Sequence, residues 1–237
     1  GKTTTAVNLT AALTEADRKV LICDFDPQAN ATSGMGVDKS LSNGVYDVLI
    51  NGVDVHKAIT TTPYGDVLPS SKALAGAGVE MIELPGRQFL LKKALSQVAD
   101  RYDFIFIDCP PSLELLTLNA LCAAHTLLVP VQGEYFALEG LSDLMSTVRA
   151  VRRSMNPELQ IEGVLLTMFD GRMNLSIQVA QEIKRFFPGK VYATVIPRNV
   201  RLSEAPSHGK PITAYDRGCR GAEAYTQLAQ EFLRKNP

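Results

Sequence analysis

The chain has 237 residues, 24 Lys and Arg against 25 Asp and Glu, and a formal net charge of −1. At about 150 residues per domain, that length makes one large domain or two small ones. A hydrophobic share of 46% with 21% charged residues is enough to bury an ordinary core, which excludes disorder. No apolar run reaches the ~18 residues of a membrane span, and the opening residues do not read as a secretory signal. Cys23, Cys109, Cys122 and Cys219 form no CxxC pair, and the histidines are dispersed. The expectation is reduced thiols in a cytosolic protein, without a zinc-type cluster. Taken as a sum, the charge also argues against nucleic acid as a partner.

Short apolar runs alternate with helical patterns along the chain, which predicts a mostly parallel α/β sheet with helices on both faces. A helix over 4–16 leads into a strand at 19–23. Residues 40–84 are turn-rich, with a helix at 45–50 and a short strand at 66–68. A helix at 88–99, a strand at 103–107, a helix at 114–123 and a strand at 126–131 follow. Next come a helix at 140–154, a strand at 161–168, a helix at 175–187 and a strand at 191–196. The strands are near-continuous in Val, Ile, Leu and Phe, as strands covered on both faces require. In the last helix Tyr225, Leu228, Ala229, Phe232 and Leu233 fall at i, i+3, i+4, i+7 and i+8, one apolar stripe. No repeat or linker divides the chain, so 1–237 reads as one domain.

Three segments carry chemistry. Gly1-Lys2-Thr3-Thr4-Thr5, at the start of a helical pattern, matches the tail of G-x-x-x-x-G-K-[ST], whose backbone N–H groups cradle phosphates. There Lys2 would reach the β- and γ-phosphates and the Thr3 hydroxyl would ligate Mg²⁺. The string alone suits a Thr-capped surface helix equally well. Cys23-Asp24-Phe25-Asp26-Pro27-Gln28 ends a strand, at the carboxyl edge where α/β proteins place ligands. An Asp-Pro turn explains one of its carboxylates but does not need two. Phe104-Ile105-Phe106-Ile107-Asp108-Cys109-Pro110-Pro111 is an apolar strand ending in Asp, the arrangement that holds Mg²⁺ in nucleotide hydrolases. Together they read as an ATP or GTP site.

With Asp24 to Ser33, Asp108-Cys109-Pro110-Pro111-Ser112 and Ile196-Pro197-Arg198-Asn199-Val200-Arg201 added, the chain resembles the ParA/Soj partition ATPases. These are P-loop NTPases of the deviant-Walker (SIMIBI-like) group that also holds MinD and the nitrogenase iron protein. The resemblance implies an ATP- and Mg²⁺-dependent homodimer, cytoplasmic and nucleoid-associated, that binds double-stranded DNA non-specifically. Hydrolysis would be stimulated by a ParB-like DNA-binding partner, in chromosome or plasmid segregation. It implies that Asp26 orients the attacking water and that Lys2 is catalytic. Gly1, Lys2, Thr3 and Thr4 would bind the phosphates, and Thr3 and Asp108 would serve the metal. Pro110 and Pro111 would lie in the γ-phosphate switch, Met168 and Pro197 would flank adenine, and Arg172 and Arg201 would contact DNA. The family's loop begins Lys-Gly-Gly-Val before the final Gly-Lys-Thr. A polypeptide starting at Gly1 would lack the first, central strand and the signature Lys, leaving unpaired strand edges and negligible hydrolysis.

Charge is uneven. Residues 149–220 hold 12 basic and 6 acidic residues, which suits salt-dependent contact with phosphates as well as a solvated basic face. A MinD-like membrane regulator is the alternative and would require an amphipathic C-terminal tail rich in basic residues. The final helix carries only Arg234 and Lys235 at its end, and its stripe suits a core seam. An iron–sulfur reductase would need paired cysteines at an interface, and Cys122 has no evident mate.

Overall fold

The computed structural model describes residues 1–40, 43–112, 114–134 and 137–237. In chain order its elements begin with α1 (Lys2–Thr14), β1 (Val20–Asp24), α2 (Asn30–Gly34), α3 (Val45–Leu49), α4 (Val55–Ala58), β2 (Thr60–Thr62) and β3 (Gly65–Leu68). They continue with α5 (Leu74–Glu80), α6 (Leu90–Leu95), β4 (Phe104–Asp108), α7 (Leu115–Ala123), β5 (Thr126–Gln132) and α8 (Ala137–Ser154). The last are β6 (Gln160–Thr167), α9 (Asn174–Phe186), α10 (Val200–Glu204), α11 (Ile212–Tyr215) and α12 (Arg220–Lys235).

One sheet has the order β2-β3-β1-β4 and a second pairs β5 with β6. β1 runs parallel to β3 and β4, β5 parallel to β6, and β2 is antiparallel at the edge. Among the described residues β4 and β5 share no ladder, so each has a strand neighbour on one side only. The effect is visible in burial. β1 is buried at all five positions, whereas the equally apolar Phe104–Ile107 of β4 is only half-buried.

Side-chain alternation sends the strands' two faces into different cores. Val20, Phe104 and Phe106 pack with Leu9 and Leu13 of α1 and with Tyr225, Leu228 and Phe232 of α12. Phe232 meets the Phe104 ring edge-on at 5.1 Å. Leu21, Cys23, Ile105 and Ile107 face the other way, against Val45, Leu74, Leu91 and Leu95. Val129, Val131, Val164 and Leu166 pack on Val179 and Ile183 of α9. Helices therefore cover both faces, as the apolar strands require.

Two expectations from the sequence need correction. The helix expected over 88–99 is a short 3₁₀ turn followed by α6, which ends at Leu95. Residues 191–196 form no strand. They run beside β6 with only isolated bridges, Val164 to Val191 and Phe169 to Pro197. The reason lies in α12: Glu231 accepts the backbone N–H groups of Ala193 at 2.8 Å and Thr194 at 2.9 Å, and the Thr194 hydroxyl at 2.7 Å. Those amides are thereby lost to the ladder.

Candidate active site

The carboxyl ends of β1, β4 and β6 meet the start of α1. Gly1 lies so close to the end of β6 that a Cβ there would stand 2.7 Å from Thr167 Oγ1. The Thr5 N–H donates to the Gly1 carbonyl at 2.9 Å, closing the first turn. That turn has neither a side-chain cap nor an acidic residue, so its N–H groups and the positive end of the helix dipole are open to an anion.

Asp24 and Asp108 are register partners on β1 and β4. Asp24, fully buried, is committed to structure. Its Oδ1 accepts the Asp26 N–H at 3.2 Å, and its Oδ2 accepts both the N–H and the hydroxyl of Thr32 at 2.7 Å. Thr32 Oγ1 in turn accepts the Ser70 N–H at 2.9 Å, tying the segment after β3 to α2. Burial raises the Asp24 pKa, and the bonds from Thr32 oppose that rise.

Asp26 sits at the turn after β1, only 9% exposed. Its Oδ1 accepts the Gln28 N–H at 2.9 Å, and Ala29 follows in the left-handed conformation at φ 52°. Asp108 differs. Burial pushes its pKa up to about 7; Asp24 and Asp26 push the same way, while the Thr3 hydroxyl and the Lys2 ammonium oppose them. Its Oδ2 is buried without a hydrogen-bond partner. A desolvated carboxylate oxygen lacking a donor, beside a threonine hydroxyl, is a hard-oxygen donor set that fits a Mg²⁺-sized cation. The neighbouring thiols are no competitors for it: burial holds Cys109 up at about 12 and Cys23 well above its ordinary value, so both stay neutral.

Pro110 follows β4 and borders, with Pro27, Val79, Ile82 and Leu115, an open cleft of about 740 Å³. Pro111 is exposed beside it. Met168 directly follows Thr167, in a left-handed conformation at φ 50° and 42% exposed. The Phe169 N–H donates to the Ile196 carbonyl at 3.0 Å, bringing Met168 and Pro197 onto the same edge.

The arginines stand apart from this cluster in their bonding. Arg172, in the loop before α9, grips Asp170 through Nε at 2.9 Å and Nη2 at 2.8 Å. Arg201 on α10 lies between Glu204 at 2.9 Å and Asp216 at 3.4 Å. Arg198 also lowers the Asp170 pKa, after the larger effect of Arg172, a third cation that the motif reading did not single out. The α12 stripe faces the core, with Tyr225, Leu228 and Phe232 buried. No helix among the described residues is long and apolar enough to cross a membrane.

A parallel sheet whose carboxyl edge gathers a Gly-Lys-Thr helix start and strand-end aspartates defines the phosphate-loop class of α/β proteins. The family model described as an AAA domain matches residues 1–161. The chain is 56% identical over 234 residues to the sporulation initiation inhibitor protein Soj of Bacillus subtilis, across 98% of this chain and 92% of that one. It is 48% identical over 238 residues to the chromosome-partitioning ATPase Soj of Treponema pallidum, across 100% and 93% of the two chains. Among solved structures, it superposes with a TM-score of 0.87 on a cobyrinic acid a,c-diamide synthase from Mycobacterium smegmatis with bound ATP analogue and magnesium. That match has 36% identity and covers 98% of this chain and 89% of that one. The chain belongs to the Soj/ParA family of chromosome-partitioning ATPases.

Proposed function

We propose that the protein is a Mg²⁺-dependent ATPase that drives DNA partition, dimerising on ATP, holding DNA without sequence preference and hydrolysing ATP when a ParB-like partner stimulates it. The observation that carries the reading is the unpartnered buried oxygen of Asp108 beside Thr3, at the open start of α1. Thr3 and Asp108 would hold the cation, which when bound neutralises phosphate charge. Lys2 binds the β- and γ-phosphates from the first turn, and the α1 N–H groups add a fixed positive field. Asp26, anchored through one oxygen by Gln28, orients the attacking water. Pro110 and Pro111 belong to the segment that follows the γ-phosphate, and Met168 and Pro197 flank the base. Arg172 and Arg201 supply backbone contacts to DNA, in the cytoplasm at the nucleoid. The membrane-regulator alternative gains no support from α12, whose apolar face is already occupied.

The test is Asp26→Ala against Lys2→Ala in the full-length protein. Asp26→Ala keeps ATP affinity within about twofold and loses turnover by about 10²-fold or more; Lys2→Ala loses affinity itself. Loss of nucleotide binding in Asp26→Ala would assign Asp26 to the wrong step.

A further inference from the structure

The contact between Glu231 and residues 193–194 does more than interrupt a strand. The Tyr192 N–H donates to the Val164 carbonyl at 2.9 Å, and a regular parallel ladder would next bring residue 194 to Leu166. Instead the Ile196 N–H reaches the Leu166 carbonyl, at 2.8 Å. Four residues on this segment thus span two on β6. The backbone N–H groups of Ala193 and Thr194, in the excess, end on the two oxygens of Glu231. On β6 the left-handed Met168 follows, after which Phe169 rejoins the Ile196 carbonyl at 3.0 Å. The displaced register decides which residues stand beside Met168: with it they are Ile196 and Pro197, and a regular ladder would shift the segment along β6.

Glu231 is suited to set that register. It is 8% exposed on the buried face of α12, accepts three hydrogen bonds, and is approached by Lys235 Nζ at 3.7 Å. Lys235 also lies over the Tyr192 ring, 3.7 Å from its centroid, and the Tyr192 hydroxyl donates to Glu162 at 2.8 Å. The bulge is therefore gripped at its start by Tyr192 and along its length by Glu231.

We infer that Glu231 is a positioning residue for the nucleotide-base site: by holding the two-residue bulge it places Pro197 opposite Phe169, next to Met168, and so controls recognition of the base but not of the phosphates. The inference rests on the proposed role of Met168 and Pro197 at the base. Glu231→Gln keeps the shape of the side chain but offers an amide N–H₂ where a backbone N–H now donates.

The experiment measures affinities of the full-length protein for Mg·ATP, Mg·GTP and Mg·tripolyphosphate, the last lacking base and sugar. In Glu231→Gln, ATP affinity falls about tenfold, the ATP-to-GTP preference narrows, and tripolyphosphate affinity is unchanged. Thr194→Val, which removes only the hydroxyl bond to Glu231, moves ATP affinity the same way by a smaller factor. It keeps the test decisive if Glu231→Gln does not fold. Unchanged ATP affinity and preference in the folded variants overturn the role of Glu231, as does an equal loss for ATP and tripolyphosphate. A wild-type protein that binds tripolyphosphate as tightly as ATP, with no preference between ATP and GTP, overturns the base-site reading itself.

Discussion

Asp24 and Asp108 face each other across neighbouring strands, yet their environments divide the work between them. Asp24 has donors for both oxygens, whereas Asp108 is left with one bare, buried oxygen. The sequence places both at strand ends, but the difference depends on a hydrogen bond from Thr32, eight positions beyond Asp24, that strand patterning does not reveal. A folded-state pKa near 7 against an unfolded value near 4 means that the Asp108 contribution to stability is intact below about pH 4. It is lost as the pH rises through about 7. Without nucleotide and with metal chelated, Asp108→Asn therefore gains stability over wild type as the pH rises from 5 to 8, by about 2–4 kcal/mol. Urea unfolding at each pH measures this, and a difference that does not change with pH would refute the shifted carboxyl.

At the scale of elements, the strands at 19–23, 103–107, 126–131 and 161–168 are legible because their apolar runs are near-continuous and bounded by turns. The segment at 191–196 has the same local signature but lost its ladder to a side chain from α12, a non-local event. A signal was present nonetheless: Glu231 lies on the buried face between Leu228 and Phe232, and an acid in an apolar stripe must find donors. β2 carries no strand signature because Thr60–Thr62 is a polar run without alternation, and α5 carries no clear helical pattern because Leu74–Glu80 is rich in Gly and Ala. Within the candidate site, the sequence motifs place Lys2 and Thr3 at a helix start and Asp26 and Asp108 at or just past strand ends, and the structure has them there. The anchoring of Asp26 by Gln28 and the left-handed turn at Met168 required backbone geometry. The core seam of α12 makes its own prediction. Leu228 is fully buried, so Leu228→Ala costs about 2–5 kcal/mol, whereas the partly buried Leu233 costs less when truncated. Equilibrium unfolding compares the two; an unchanged midpoint for Leu228→Ala would mean that the stripe is not a core seam.

Across the whole molecule, a net charge of −1 conceals an acidic first half and a basic later half. Arg172 and Arg201 are bound to carboxylates on the surface, and such exposed pairs are weak enough to yield to phosphate. Arg172→Ala with Arg201→Ala lowers affinity for mixed-sequence duplex DNA and makes its logarithmic salt dependence shallower by about one to two units. A salt titration reads both, and an unchanged slope would remove these arginines from the interface. The seam between α1 and α12 spans a great sequence distance: the Thr5 hydroxyl meets the Tyr225 hydroxyl at 3.2 Å across 220 positions. Asn8 Oδ1 likewise accepts the Ile212 N–H at 2.6 Å. Packing Leu9 and Leu13 of α1 against Tyr225 and Leu228 of α12 closes a very long loop, and the entropy of that closure must be met before the contact rewards folding. The start of α1, which faces Asp108, is therefore held in place by the sequence-distant α12 as well as by its nearer neighbours on β1 and β4.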